Sequence, residues 1–362
     1  MAGSPAATSS FLDVHTYAPA HEYPQLELLE GVLRQARPER RTRRLLETLF
    51  RRSGITTRFM AVPDFAQGAD PVLYREPGVE PSTQDRMRLF AALAPLQALG
   101  AARPLVERHA VAERITHVVT SCCTGFVAPG WDLRVIDELG IPEGAGRVHV
   151  GYMGCHAAVN ALRVAHAFAL GNPEALVLVI ANELSSLHFN FSDRIDNLLS
   201  CTIFADGAAA ALIGGAAWRE RARGQLGGFR SQRVPGTSAL MGWRIGNVGF
   251  EMDLSPELPD AIERFVAERG VASERPGDER VQDLVHAGGK AILEAFAKGR
   301  GTGADGIRYS FEVLARNGNM SSGTILFILS RWLDDPHGLP SAEAHAFGPG
   351  VVAERFHLAR TR

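Results

Sequence analysis

The sequence predicts an α/β fold in which sheets and helices form layers, and it predicts two similar halves. Unbroken apolar runs at 175–181 and 208–213 suit strands that are covered on both faces. Segments with helical periodicity alternate with such runs, as is typical of layered α/β proteins. After Gly214 the order of strand, turn and helix begins again. The predicted organisation is a flexible leader at 1–10, an N-terminal half at 11–218 and a C-terminal half at 219–362.

The first half contains apolar runs and segments of helical spacing in turn. Val148 and Val150 alternate with polar neighbours, which predicts a strand, and Ala158, Leu162 and Ala165 then follow at helical spacing. Proline and glycine predict a loop at 61–81. The remaining predictions are strands at 11–17 and 115–120 and helices at 25–50, 82–109 and 132–139.

The second half is predicted on the same grounds. Two strands are expected around the Gly-Pro-Gly turn within 344–358. The other predicted elements are strands at 227–233, 247–252 and 281–285, and helices at 258–268, 288–297, 305–315 and 321–333.

Composition and charge exclude several classes of function. The chain has 362 residues, of which 46% are hydrophobic, and its net charge of −2 does not favour nucleic acid or an anionic membrane as a partner. No apolar run approaches the roughly 20 residues of a membrane span, and the N-terminus lacks the pattern of a signal peptide. The cysteines are too few for a disulfide scaffold, and no Cys or His pair has zinc spacing. We therefore expect a cytoplasmic protein without a metal site.

Cys155 lies where the predicted strand gives way to a helix. Gly154 allows a tight turn before it, and the unpaired N–H groups at the start of a helix favour the thiolate form of a cysteine. The thiolate is the nucleophilic form, so Cys155 is a candidate nucleophile. A small, buried core cysteine is the alternative that this stretch alone leaves open.

Many arginines lie in and after the predicted helix at 25–50. A solvated helix face explains such a run, and a binding patch for a phosphorylated ligand is the second interpretation, because guanidinium groups bind phosphate well. These arginines are Arg34, Arg37, Arg40, Arg41, Arg43, Arg44, Arg51, Arg52 and Arg58.

Two further polar residues occupy positions similar to that of Cys155. His286 ends the apolar strand at 281–285 and is followed by two glycines and a new helix. Asn319 lies in a stretch of small residues that opens the apolar helix at 321–333, and its amide can stabilise an oxyanion. Three polar residues at matching ends in two similar halves indicate one site.

Five motifs give the chain a specific resemblance to a known family. They are Gly154-Cys155-His156-Ala157, the segment HAGGKAIL at His286, the segment GNMSSG at Asn319, Phe204-Ala205-Asp206-Gly207-Ala208, and Phe347-Gly348-Pro349-Gly350. Through these motifs and their order along the chain, the sequence resembles the type III polyketide synthases of bacterial type, the chalcone synthase-like branch of the thiolase superfamily. The resemblance implies a thiolase-like five-layer αβαβα fold of two pseudo-duplicated halves and a homodimer.

The resemblance also implies roles for the three polar residues. Cys155 would attack an acyl-CoA thioester, and His286 would hold it as a thiolate. Malonyl-CoA would lose carbon dioxide, and His286 and Asn319 would stabilise the resulting enolate before it condenses with the acyl group. The activated carbon is carried by coenzyme A itself, so no metal or organic cofactor is expected.

The same resemblance assigns further positions by counting along the chain. Phe204 and Phe250 match two aromatic residues between the CoA channel and the cavity, and core phenylalanines are the alternative. Arg51 and Arg52 lie near the cationic residues that bind the CoA phosphates. Other positions that would line the cavity are Cys123, His188, Met241 and Ser321. His188 and Met241 are bulkier than their plant counterparts, which places chalcone itself in doubt as the product.

Two alternatives to a polyketide synthase share this scaffold. A ketoacyl-ACP synthase takes malonyl groups from a carrier protein, but its asparagine motif is usually Gly-Asn-Thr-Ser, whereas this chain has Gly-Asn-Met-Ser. A non-catalytic binding protein would not need the cysteine, the histidine and the asparagine together. The sequence therefore favours a polyketide synthase that makes pyrones, resorcinols or phloroglucinols.

Overall fold

Strands occupy most of the apolar runs that the sequence analysis singled out. The computed structural model describes residues 7–268 and 281–361. The strands are β1 (Ser9–Tyr17), β2 (His21–Pro24), β3 (Thr57–Met60), β4 (His117–Cys122), β5 (Gly146–Gly151), β6 (Leu176–Leu184), β7 (Asp206–Gly214), β8 (Gly224–Arg233), β9 (Met241–Gly246), β10 (Gly249–Leu254), β11 (Gln282–Val285), β12 (Ser341–Gly348) and β13 (Val352–Arg360).

Helices alternate with these strands along the chain. They are α1 (Gln25–Ala36), α2 (Arg40–Arg52), α3 (Thr83–His109), α4 (Trp131–Leu139), α5 (Ala157–Gly171), α6 (Ile195–Ile203), α7 (Leu258–Glu268), α8 (Lys290–Arg300), α9 (Arg308–Asn317) and α10 (Thr324–Asp334).

The order of strands in the main sheet shows the duplication. Nine strands form one hydrogen-bonded sheet in the order β11-β12-β13-β8-β1-β7-β6-β4-β5. In the first half β4 is parallel to β6, β6 is antiparallel to β7, and β7 is antiparallel to β1. In the second half β11 is parallel to β12, β12 is antiparallel to β13, and β13 is antiparallel to β8. The two halves therefore repeat one pattern, and β1 and β8 join them through a short antiparallel pairing.

Helices cover both faces of each half. The core helices α5 and α10 touch one another and contact strands of both halves. On the opposite face of the first half, α3 packs against β1, β6 and β7. In the second half, Phe265 of α7 and Phe296 of α8 contact Phe347 of β12 through their rings. This is the predicted alternation of helix and sheet layers.

Helix α3 differs from the expectation that no segment could span a membrane. Its length and composition would allow it to cross a bilayer, although more than half of the apolar stretch is buried inside the protein. Its inner face contacts the sheet, and Arg86 on this helix is completely buried. We therefore interpret α3 as a core helix of the first half.

Three predicted boundaries are wrong. The single helix at 25–50 is two helices, because Arg37 adopts a left-handed conformation with φ of 45° and Pro38 follows it. The strand predicted at 247–252 is found at Gly249–Leu254, and it pairs in a hairpin with β9, which was not predicted. Of the predicted leader, residues 1–6 lie outside the described residues, but Ser9 and Ser10 are buried in β1.

Candidate active site

Cys155 lies at the junction between β5 and α5. A 3₁₀ turn over Gly154–His156 connects the strand to the helix, and Gly154 has a φ of 68°. A Cβ atom at Gly154 would lie only 2.4 Å from Pro349, so this close approach requires glycine. The Gly-Pro-Gly turn thus packs directly against the residue before Cys155. Cys155 is partly exposed as a residue, whereas Cys122, Cys123 and Cys201 are buried.

His286 follows the last residue of β11. Its backbone N–H donates a hydrogen bond of 2.8 Å to the carbonyl oxygen of His345 on β12, which fixes the end of the strand. The residue is 2% exposed, and neither ring nitrogen has a hydrogen-bond partner within the described part of the chain. Buried polar groups are usually paired, so both nitrogens are available to a bound ligand.

Asn319 is held by bonds from both its backbone and its side chain. Its N–H donates to Ile203 and its carbonyl oxygen accepts from Ala205, both at 2.9 Å, which ties it to the start of β7. The side-chain Oδ1 accepts from the N–H of Ser321 at 2.9 Å, and Nδ2 donates to the carbonyl oxygen of Gly288 at 3.3 Å. These bonds fix which end of the amide is the donor and connect it to the loop that carries His286.

Two adjoining cavities contain the predicted site residues. The outer cavity, of about 430 Å³, is lined by Cys155, His286 and Asn319 together, so the structure brings the three candidates to one place. Its other walls are mostly apolar and come from α6, α7 and α8. Among its lining residues the cationic side chains are Arg52 and Lys290.

A second cavity, of about 80 Å³, adjoins the first at Cys155, and we call it the inner cavity. Cys155, Phe204, Met241 and Met252 line both cavities and form the boundary between them. All six residues that the sequence assigned to the substrate cavity line it: Cys123, His188, Phe204, Met241, Phe250 and Ser321.

The two predicted CoA-binding arginines differ in position. Arg51 and Arg52 are both exposed at the end of α2, but only Arg52 is among the residues that line the outer cavity. Arg58, which the sequence placed with the same arginine patch, is fully buried. Its guanidinium donates to the carbonyl oxygens of Cys201 at 2.8 Å and Phe204 at 2.6 Å. Arg58 therefore holds the end of α6 and is no part of a surface patch.

Burial dominates the ionisation of the cysteine and the histidine. It raises the pKa of the Cys155 thiol to about 12, with a further increase from the Glu183 carboxylate, whereas hydrogen bonds with Ser321 and Asn319 act in the opposite direction. Burial lowers the pKa of His286 to about 3, and the nearby His156 contributes to this shift. The neutral thiol and neutral imidazole are thus favoured over the thiolate that the sequence analysis expected, because burial acts against charge on both groups.

Glu183 is a polar residue of this region that the sequence analysis missed. It is completely buried at the end of β6, and its carboxylate accepts hydrogen bonds from the Thr124 hydroxyl at 2.7 Å and the Cys123 N–H at 3.1 Å. Burial raises the pKa of this carboxyl group. A glutamate at the end of the largely apolar run LVLVIANEL, next to Asn182, was the signal that could have identified it. Glu183 links the loop after β4 to the helix start at Ser322, whose N–H also faces it at 3.4 Å.

The duplicated layers, with a cysteine, a histidine and an asparagine around one cavity, define a condensing enzyme of the thiolase type. Sequence models of the N-terminal and C-terminal domains of chalcone and stilbene synthases match residues 2–217 and 228–360. The chain belongs to this family, the type III polyketide synthases.

Individual relatives agree with this assignment. The alpha-pyrone synthesis polyketide synthase-like protein Pks18 of Mycobacterium tuberculosis is 34% identical over 325 residues, which cover 86% of this chain and 81% of that protein. The 1,3,6,8-tetrahydroxynaphthalene synthase of Streptomyces peucetius is 28% identical, with 96% and 92% covered. The crystal structure of PKS-I from the brown alga Ectocarpus siliculosus superposes with a TM-score of 0.90 at 29% identity, covering 99% of this chain and 100% of that one.

Proposed function

We propose that the protein loads an acyl-CoA starter on Cys155, extends it with malonyl-CoA and cyclises the product to a pyrone, resorcinol or phloroglucinol. The observation that carries the proposal is the shared cavity of Cys155, His286 and Asn319, in which both nitrogens of His286 have no partner in the described part of the chain. The family membership supports the reaction class, and the names of the relatives support a cyclised aromatic or pyrone product.

In the loading step, His286 accepts the thiol proton of Cys155 as the sulfur attacks the acyl-CoA carbonyl carbon. The C–S bond to coenzyme A breaks, and the departing CoA thiolate takes that proton from His286. A neutral imidazole, which the lowered pKa of His286 favours, is the form that can accept the proton. The acyl group then remains on Cys155 as a thioester.

In the extension step, malonyl-CoA loses carbon dioxide, and the electron pair of the broken C–C bond forms an enolate. His286 and the Nδ2 of Asn319 donate hydrogen bonds to the enolate oxygen, where negative charge develops. The enolate carbon attacks the acyl carbonyl carbon, and the Cys155 sulfur leaves. The fixed orientation of the Asn319 amide supports its role as a donor. Removing one such donor typically costs about 10²–10³ in kcat.

The expected partners follow from the same reaction. Acyl-CoA and malonyl-CoA carry the activated carbon, so the proposed reaction needs neither a metal nor an organic cofactor. Arg52 and Lys290 are the cations of the outer cavity that would bind the CoA phosphates. We place the enzyme in the cytoplasm, where these CoA esters are available.

A homodimer is the proposed assembly. Strand β5 lies at the edge of the nine-stranded sheet, and Val127, Tyr152 and Met153 near it are exposed apolar side chains. An unpaired edge beside an apolar surface favours association with a second copy. Light scattering should give the mass of a dimer, and Tyr152→Glu should shift it towards the monomer. A wild-type monomer at micromolar concentration would contradict the proposal.

A single assay tests the reaction. The protein is incubated with a panel of acyl-CoA starters and radiolabelled malonyl-CoA, without carrier protein, and products are identified by mass spectrometry. We expect labelled cyclised products with the wild type and with Cys201→Ser, and none with Cys155→Ala. A strict requirement for acyl carrier protein would indicate a ketoacyl-ACP synthase instead. If malonyl-CoA is not decarboxylated under any condition, the chain is a binding protein. Elongation of an acyl chain by Cys155→Ala would refute the assignment of Cys155 as the nucleophile.

A further inference from the structure

His286 is carried by a short strand at the edge of the main sheet. Strand β11 has four residues and stands first in the order of the sheet, so β12 is its one strand neighbour within the described residues. The N–H of His286 donates to His345 of β12, and the N–H of Val285 donates to the hydroxyl of Ser310 at 2.9 Å. A strand this short has few ladder hydrogen bonds, so side-chain contacts contribute much of its attachment.

Asp283, three residues before His286, makes such side-chain contacts. It is 7% exposed, and its Oδ1 lies 3.1 Å from Nε2 of His345 on β12. Its Oδ2 accepts a hydrogen bond of 2.9 Å from Nε of Arg300, the last residue of α8. Helix α8 begins four residues after His286. One carboxylate therefore connects the strand before the histidine with the helix after it and with β12. We call Asp283, His345 and Arg300 the β11 clamp.

The β11 clamp contains a buried charge. Burial acts to raise the pKa of Asp283, whereas the hydrogen bond from His345 and the charge of Arg300 lower it, and the pKa lies below its ordinary value. A carboxylate can only accept, so Nε2 of His345 carries the hydrogen. The ring of His345 also packs on Phe296 of α8, with centroids 5.0 Å apart. A buried carboxylate that loses a partner is strongly destabilised, so the clamp resists displacement of β11.

The far end of β12 packs against the turn that carries Cys155. A Cβ atom at Gly348 would overlap the ring of His156, so strand and turn are in direct contact. Because β12 also accepts the backbone hydrogen bond from His286, this one strand connects the histidine to the cysteine. A movement of β11 along or away from β12 would therefore change the separation between His286 and Cys155.

We infer that Asp283 is a positioning residue, which through the β11 clamp holds His286 at the separation from Cys155 that proton transfer requires. The inference rests on the proposed function, since that function gives the separation its purpose. Proton transfer needs heavy atoms within about 2.6–3.2 Å, and a misplacement of about 1 Å can cost about 10²-fold in rate.

Two other hydrogen bonds act on the loop that follows His286. The N–H of Gly288 donates to the carbonyl oxygen of His286 at 2.9 Å, and Nδ2 of Asn319 donates to the carbonyl oxygen of Gly288 at 3.3 Å. These bonds hold the first glycine of the loop. The β11 clamp acts on the strand and the helix between which the loop lies, so its loss would displace the loop together with the histidine.

Variants of similar size test this role. Asp283→Leu removes both hydrogen bonds of the carboxylate, and Asp283→Asn retains one acceptor. His345→Phe removes the Nε2 donor but keeps the backbone carbonyl that accepts from His286. Glu343→Gln is the matched control, because Glu343 of β12 is also 7% exposed and accepts from Arg355 of β13 at 3.0 Å. The control thus removes a buried carboxylate whose partner lies on β13 and not on β11 or α8.

The kcat and the KM for malonyl-CoA are measured with one acyl-CoA starter, under conditions in which every variant is folded. Hydrogen exchange is followed in peptides that cover residues 282–292. We expect Asp283→Leu to lower kcat about tenfold or more while KM changes less than about twofold. Exchange in these peptides should accelerate about fivefold or more, the equivalent of one hydrogen bond. Asp283→Asn and His345→Phe should show smaller effects of the same kind, and Glu343→Gln neither.

An unchanged kcat in Asp283→Leu, or an equal loss in Glu343→Gln, would overturn the inference, because the clamp would then only stabilise the fold. A raised KM with an unchanged kcat would also overturn it. If Asp283→Leu does not fold, an unchanged kcat in both Asp283→Asn and His345→Phe would do so. A wild type that forms no polyketide refutes the proposed function instead, and hydrogen exchange at 282–292 then still tests whether the clamp holds His286.

Discussion

Replacing Met241 with alanine should join the two cavities beside Cys155. Met241 is 9% exposed and lines both cavities, so removal of its Cγ, Sδ and Cε atoms opens the boundary between about 80 Å³ and about 430 Å³. Truncation of a buried methionine to alanine costs about 2–5 kcal/mol. We expect about 2 kcal/mol, the lower end of this range, because the new space adjoins existing cavities and no isolated void forms in a packed core.

The enlarged cavity should accept a longer chain, so the Met241→Ala variant is expected to make longer products or to use bulkier starters. Met241→Leu is the matched control, because volume-conserving apolar exchanges usually cost less than about 1.5 kcal/mol and keep the boundary closed. Products are compared by mass spectrometry over one panel of acyl-CoA starters, and stability is measured by urea unfolding. If Met241→Ala folds, loses the expected stability and gives the wild-type product profile, Met241 does not limit the space for the chain.

Three further predictions concern ionisation and stability. Iodoacetamide should label Cys155 before the other three cysteines, because Cys122, Cys123 and Cys201 are buried. The rate of Cys155 labelling should still rise between about pH 7 and pH 9, because the pKa of Cys155 is raised. A labelling rate that is constant over this interval, or labelling of Cys201 first, would contradict this prediction. The unfolded chain binds a proton at His286 below about pH 6.5, whereas the folded protein does so only near pH 3, so the free energy of unfolding falls as the pH falls through this window. In urea unfolding, the free energy of unfolding of His286→Leu should depend less steeply on pH, by about 1.4 kcal/mol per pH unit. An unchanged pH dependence would refute the lowered pKa of His286. Asp206 accepts hydrogen bonds from the N–H groups of Ala61 and Ser186 at 2.8 and 2.7 Å. In urea unfolding, Asp206→Ala should therefore lower the free energy of unfolding by about 3 kcal/mol. A loss below about 1 kcal/mol would argue against this structural role.

Features that depend on neighbouring residues could be predicted from the sequence. All but the first residue of the run 175–181 lie in β6, and 208–213 lies within β7, because a strand buried on both faces needs an unbroken apolar segment. Cys155 lies at the predicted junction of strand and helix because Gly154 and the following helical spacing are local signals. The same holds for His286, which follows β11 directly.

Features that depend on distant contacts could not be predicted in this way. The role of Glu183 arises from partners at Thr124 and Ser322, far from it in the chain. The partners of His188 are Thr124 and Phe250, and its neighbours in sequence give no sign of either. A helix start, which favours the thiolate of Cys155, is a local feature, whereas the burial that raises the pKa of this thiol results from the whole fold.

The position of β1 has a consequence for how the chain folds. This strand is synthesised before β7 and β8, yet Ser10 pairs with Gly214 of β7 and with Gln225 of β8. The centre of the sheet therefore cannot close until the chain as far as Gln225 has left the ribosome. Pairings of such long sequence separation slow folding, and the unpaired edges of β1 stay exposed to aggregation during this interval. Co-expression with chaperones should consequently raise the yield of the native enzyme.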